Sequence, residues 1–391
     1  LSIVAGVAGL ALATGCTDTG EPSVQARATR HPGYHVLKLR GLDGKVGSGN
    51  GITNLGWVTG VSSSSDNTAA HATAWVFGFP FDLGIVGTNS AMVWPVKNTR
   101  GVLSGIIEVP GDDPNDEAWS CAAFIPKSPG HVCRGFVWED GELRTLPTLG
   151  GTHGFATGTN NHRQTVGWAE TTVRDPTCNQ VDQFLQFRAV VWERDRVREL
   201  RPLGEDSTSA ATAINDHGQV VGISGACANA VGGASAAHAV IWEPDGTVTD
   251  LGSFGGIAWN TPMALNDHGD VVGFANGAAT EPPLRFNYRP FLWTRQQRRM
   301  TDLGTLPGDS RGQALGINAR RQVVGFSRGI SLRGVIWDNG TVADLNTLIV
   351  SGSRDTITIA SDINDLGMIT GTAVAADGAS SSFLAIPIGR P

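Results

Sequence analysis

Four side chains of different chemistry share one place in a recurring segment. His153, Thr208, Trp259 and Arg311 each stand fourteen residues before a closing glycine: Gly167, Gly222, Gly273 and Gly325. An imidazole, a hydroxyl, an indole and a cation around one opening would suit a small polar or sugar-like ligand. Trp119 offers a second aromatic loop contact. His217 and His268 sit beside Asp216 and Asp267 and invite an acid–base reading. Other copies of the segment hold Arg100, Leu55 and Leu366 nearby, so turn formation explains them better. The acidic run 111–117 (GDDPNDE) offers the oxygen atoms that Ca²⁺ takes but lacks EF-hand spacing, and it reads as a solvated loop. Glu205, Asp206 and Asp309 are candidate glycosidase carboxylates without an assignable partner. No GxSxG, HExxH, Walker or strand-linked GxGxxG pattern is present. No catalytic residue, cofactor or metal is expected.

The elements that must position these residues are repeated. Segment 214–222 (INDHGQVVG) recurs at 265–273 (LNDHGDVVG), 317–325 (INARRQVVG) and 363–371 (INDLGMITG). Weaker copies lie at 159–167, 97–105 and 52–60. The closing glycines at 60, 105, 167, 222, 273, 325 and 371 repeat with a mean period of about 52 residues. A second segment in six units ends in Trp75, Trp138, Trp192, Trp242, Trp293 or Trp337, and a third carries Asp-Leu-Gly-like sequence. Each unit therefore reads as four strands, a to d, with Asn-Asp and Asp-Gly turns that favour antiparallel hairpins. One such sheet cannot bury both faces, so the copies must stack around an axis. The expectation is an all-β, seven-bladed β-propeller over 34–391, with four antiparallel strands per blade. Unit seven lacks a strand d, and 34–42 (YHVLKLRGL) resembles one, so the N-terminal strand is expected to close the last blade. Trp57 and Trp94 are read as strand residues, and Trp168 as filling the strand-b slot of Ile223.

Strand c opens on a basic residue in six units (His71, Arg134, Arg188, His238, Arg289, Arg333). Strand d supplies an acid in five (Asp82, Glu199, Asp250, Asp302, Asp344). Cross-strand ion pairs explain this better than a cation ring for an anionic ligand. The long insertions 106–133, 169–187, 223–237 and 274–288 all fall on the b→c side, which together with the d→a connections forms the expected working face.

Residues 1–15 (LSIVAGVAGLALATG) read as a secretion signal. Ala13-Thr14-Gly15-Cys16 is lipobox-like, with Cys16 the expected lipid attachment and 16–33 a flexible tether. The chain opens at Leu1 without Met or a basic stretch, so the signal reads as truncated. Cys121, Cys133, Cys178 and Cys227 remain, none in zinc-ligand spacing. Their positions in b→c loops predict Cys121–Cys133 and Cys178–Cys227, in an oxidising compartment. The net charge of −7, without a basic stripe, argues against nucleic acid.

The NDxG-QVVG, strand-c Trp and DLGTL segments resemble the HAF family of bacterial extracellular repeats over roughly 34–388. That resemblance implies a secreted or surface-attached propeller and carries no defined activity or catalytic residue. The resulting expectation is a monomeric, lipid-anchored binding module of the periplasmic or outer cell envelope. Its partner is a glycan, peptide or protein on the loop face, and its membrane contact is through the lipid alone. The alternatives are a carbohydrate-active or lyase-type enzyme and a structural envelope protein.

Overall fold

The computed structural model describes residues 31–42, 47–64, 69–92, 94–117, 121, 124–125, 131–194, 196–228, 233–278 and 287–389. The export segment, Cys16 and Trp119 lie outside them. Among the described residues no helix is long and apolar enough to cross a membrane.

After β1 (Gly33–Leu39), blade one comprises β2 (Gly47–Ile52), β3 (Val58–Ser63), β4 (Ala70–Val76) and β5 (Phe79–Asp82). Blade two is β6 (Ser90–Ala91), β7 (Leu103–Asp112), β8 (His131–Glu139) and β9 (Glu142–Thr145). Blade three is β10 (Gly150–Thr159), β11 (Thr165–Arg174), β12 (Leu185–Glu193) and β13 (Arg196–Glu199). Blade four is β14 (Thr208–Ile214), β15 (Val220–Gly225), β16 (His238–Trp242) and β17 (Val248–Asp250). Blade five is β18 (Thr261–Leu265), β19 (Val271–Asn276), β20 (Tyr288–Trp293) and β21 (Met300–Asp302). Blade six is β22 (Arg311–Ile317), β23 (Val323–Arg328), β24 (Leu332–Asp338) and β25 (Thr341–Asp344). Blade seven takes β27 (Thr356–Ile363), β28 (Ile369–Val374) and β29 (Ser380–Ile388), then β1 as its strand d. The seven-bladed propeller and its closure by the N-terminal strand are therefore as the repeats predict. One strand was not foreseen: β26 (Ile349–Gly352) lies parallel to β1 and gives blade seven a fifth strand.

The repeated residues each have a packing reason. Strand a bulges opposite the closing glycine, as at Ala211–Ala213 against Gly222 and at Ala156–Gly158 against Gly167. A Cβ at Gly222 would collide with the Ala210 carbonyl oxygen, so only glycine lets the bulge approach. The strand-c tryptophans of blades one, three, four and six bond the link from the blade before. Trp192 Nε1 donates to Pro147 O (2.8 Å) and Trp242 Nε1 to Arg201 O (2.6 Å), while both rings stay buried.

The turn asparagine does more than turn. Asn215 Oδ1 accepts the amides of His217 (3.1 Å) and Gln219 (3.0 Å), while its Nδ2 donates to Asn266 O in the next blade (3.0 Å). The same inter-blade bond runs from Asn98, Asn160, Asn266 and Asn318, and from Asn364 to Thr53 across the closure. Lys97, where four other units hold Ile, reaches across this belt. Its Nζ pairs with the fully buried Asp362 (3.0 Å) and donates to Ile363 O (2.7 Å) and Ile317 O. Two smaller readings are corrected: Trp57 lies in the β2–β3 turn, and Trp94 in the irregular link between β6 and β7.

Candidate functional site on the loop face

The four residues at the shared offset are only partly in one register: Thr208 and Arg311 stand opposite Gly225 and Arg328, the third residues after their closing glycines, whereas His153 falls where the β10–β11 register shifts and Trp259 precedes β18. They do not form one exposed ring. Three of them lie inside strand a rather than in the loop before it: His153 in β10, Thr208 in β14 and Arg311 in β22. His153 and Thr208 are closed to solvent, Trp259 is half-buried at a positive φ of 62°, and Arg311 is exposed.

His153 belongs instead to a buried charge cluster. The 111–117 run was expected to be solvated, yet it turns Asp113 and Glu117 inward, because backbone amides wait for them there. Asp113 accepts from Asn115 N (3.1 Å) and from Glu117 N. Glu117 Oε1 accepts the amide of Phe184 (2.6 Å), and its Oε2 has no partner. Glu170 Oε2 accepts the amides of His153 (2.7 Å) and Thr152 (3.1 Å), and its Oε1 accepts from Gln183 (3.0 Å). Burial pushes the Glu170 pKa up, and the Glu117 charge adds to this against the pull of His153. The Asp113 pKa is lowered: burial works against this, but bonds from His153, Glu117 and Asn115 outweigh it. For His153 burial works to lower the pKa, and the bond to Asp113 with the charges of Glu170, Asp113 and Glu117 raises it overall.

Asp113, Glu117 and His153 bring three possible ligand atoms within 4.8 Å of one another. The imidazole argues against a metal there. Its Nδ1 accepts the Cys133 amide (3.1 Å), so the Nε2 that faces Asp113 (3.2 Å) must carry the hydrogen. The cluster joins the long loop of blade two to blade three, and its described side chains are buried. The two disulfides flank this region. Cys121–Cys133 and Cys178–Cys227 form as the loop positions predict, with Cα separations of 5.6 and 4.4 Å. They fit an oxidising, non-cytoplasmic compartment.

The basic and acidic positions of strands c and d pair only in part as expected. His71–Asp82 (2.7 Å), Arg188–Glu199 (3.3 Å) and Arg289–Asp302 are cross-strand pairs. His238 and Arg333 turn instead to Asp206 (2.9 Å) and Asp309 (2.8 Å) in the d→a loops. Those two carboxylates also accept from Ser224 and Ser327, so they brace loops. Glu205 is exposed, and His217 and His268 are exposed turn residues.

The open volume of the loop face lies elsewhere. A cleft of about 1200 Å³ sits over blades six and seven, lined by Leu332, Arg333, Asp344, Arg354, Asp355 and all four residues of β26. A strand facing a cavity with one side would line it with alternate residues; four in succession mean that its edge faces the cavity. Among the described residues that edge carries no further strand. Among the described residues no aromatic ring lines the cleft. Asp344 caps the Asn346 amide (2.9 Å) and Asp355 pairs with Lys38 (2.8 Å). Arg354 is exposed, without an ion pair among the described residues. The sequence signal for this site was the 345–355 insertion between strand d of unit six and strand a of unit seven.

No family model matches the chain, and no curated protein matches it. Among solved structures it is similar to an oligogalacturonate lyase from Vibrio parahaemolyticus, at 10% identity and a TM-score of 0.50, covering 90% of this chain and 91% of that one. TolB from Acinetobacter baumannii matches at 10% identity and a TM-score of 0.40, over 85% of this chain and 64% of that one. A Trypanosoma rangeli sialidase matches at 11% identity and a TM-score of 0.40, over 92% and 59%. At these identities the likeness is one of fold: the chain is a β-propeller.

Proposed function

We propose that the chain is an exported, lipid-anchored binding module that takes an extended polypeptide segment on its loop face, against β26. The cleft walled by an unpaired strand edge carries this reading. An extended peptide would continue the sheet through backbone hydrogen bonds, with its side chains meeting Val350, Leu332 and Arg354. A glycan is less well served, because sugar rings stack on aromatic faces and the described lining of the cleft has none. Catalysis has less support still. The His153 cluster is buried, and both cleft carboxylates are engaged in structural bonds. Export is supported by the two disulfides and by the apolar 1–15 segment before Cys16.

The test is a peptide array and a glycan array probed side by side with the full chain. The reading expects peptide binding that Arg354→Glu weakens about tenfold or more, a loss typical of a charge reversal at a contact. N-methylation of alternate peptide amides should abolish it. Glycan binding with turnover, or peptide binding indifferent to N-methylation, would overturn it.

A further inference from the structure

The turn face is polar in most blades and apolar in one sector. The third turn residue between strands a and b is Arg100, His162, His217, His268 or Arg320 in blades two to six, but Leu55 and Leu366 in blades one and seven. Both leucines are exposed, at 44% and 54%. Their turns adjoin, since Asn54 Nδ2 donates to Asp365 Oδ2 (2.8 Å).

Blade one adds aromatic rings at its outer edge. Phe77, Phe79 and Phe81 fall at alternate positions on the c→d hairpin, and are 86%, 70% and 52% exposed. The β5 register places Phe79 where blades two, three and six carry Glu142, Arg196 and Thr341. Phe81 stands where Arg144, Arg198, Thr249 and Thr301 stand. Phe77 occupies a turn position with φ 52°, two residues after the strand-c Trp, which other blades fill with Asp140, Arg194 or Asn339. A bulky ring in that conformation, in water, gains nothing for the fold.

The chain enters the ring in the same sector. As strand d of blade seven, β1 runs from the turn face at Gly33 to the loop face at Leu39. His31 accordingly meets Thr341, at the turn of blade six (Nε2 to Oγ1, 3.2 Å). Thirty residues precede this point. We infer that the apolar sector of the turn face, Leu55, Leu366, Phe77, Phe79 and Phe81, rests on a lipid surface, holding the loop-face cleft away from it. This rests on the reading that the chain is anchored through its N-terminal segment. A second copy would have to bury ~800 Å² per partner on a face whose other a–b turns carry Arg and His, so it is the weaker occupant. Phenylalanine and leucine side chains partition into the headgroup boundary without needing such area.

The experiment uses a synthetic tether, so that it does not depend on acylation. Residues 31–391, which hold every strand of the ring, are fixed by an N-terminal tag to phosphatidylcholine vesicles bearing a nickel-chelating lipid. Hydrogen exchange is then compared with that of the free protein. Amides at 53–57, 77–82 and 364–368 should slow about threefold or more on vesicles, with 349–356 unchanged. The triple variant Phe77→Ser, Phe79→Ser, Phe81→Ser should lose the slowing at 77–82. Equal exchange in both states would overturn the inference, as would slowing in free protein that grows with its concentration, which would mean a second copy. Acylation is read separately, by palmitate incorporation in cells and its loss in Cys16→Ser; failure there would remove the natural anchor and leave the lipid-facing sector to be judged by exchange.

Discussion

The two faces of the ring are built on opposite principles. On the turn face the blades repeat one arrangement: an asparagine fixes its own turn and donates to the next blade, link after link, up to the closure at Thr53. On the loop face hardly two blades agree. One seals a histidine among carboxylates, three share the two disulfides, and one opens a cleft against an extra strand. Repetition holds the ring together, and departures from it mark what each sector does. The same rule applies within the turn face, where only blades seven and one exchange polar residues for leucine and phenylalanine.

The largest effect should come from opening the ring. Deleting 33–39 removes the buried Tyr34, Val36 and Leu39 and exposes two strand edges. The loss should exceed the ~5–15 kcal/mol of a typical domain, leaving no cooperative unfolding transition by calorimetry. Next is the bolt across the belt. Lys97→Met strands the fully buried Asp362 carboxylate and should cost about 3–5 kcal/mol in urea unfolding. An unchanged midpoint would mean that the belt alone carries the turn face.

Much of this was legible in the repeats. The glycines report a local steric demand that recurs seven times and the tryptophans one that recurs six times, so even one sequence displays them, and the spare N-terminal strand shows as the strand d that unit seven lacks. What escaped is what occurs once. The His153 cluster draws residues from 113–117, 153, 170 and 183, and nothing in their spacing brings them together. β26 is four residues of ordinary composition, recognisable only by the β1 edge it covers. Lys97 looks like a weak copy of Ile until its ammonium is seen to reach the far side of the axis. The shared offset of His153, Thr208, Trp259 and Arg311 suggested one loop-face opening, but three of them lie within strand a and two are buried, because a fixed offset from the closing glycine does not set where strand a begins or what covers it.

Smaller effects sharpen the contrast. Removing Cys178–Cys227, which spans 49 residues, should cost about 4 kcal/mol, against about 3 kcal/mol for the 12-residue Cys121–Cys133. Paired Ser variants followed in urea check the order. Phe77→Asn should raise stability by about 0.5–1 kcal/mol, since asparagine tolerates the positive φ and exposes no ring. A destabilised variant would mean that the ring packs against something in the fold.

The division between the faces is tested most directly by two variants, each measured twice, for unfolding free energy in urea and for affinity to a peptide selected on the wild-type protein. Asn266→Ala removes the bond to Asn318 and leaves the His268 and Asp270 amides without their acceptor. It should lose about 2–3 kcal/mol of stability with affinity within about twofold of wild type. Arg354→Glu should change stability by less than about 0.5 kcal/mol while affinity falls about tenfold or more. If Arg354→Glu unfolds the ring as readily as Asn266→Ala, or if Asn266→Ala abolishes peptide binding in the folded protein, assembly and recognition are not divided between the two faces.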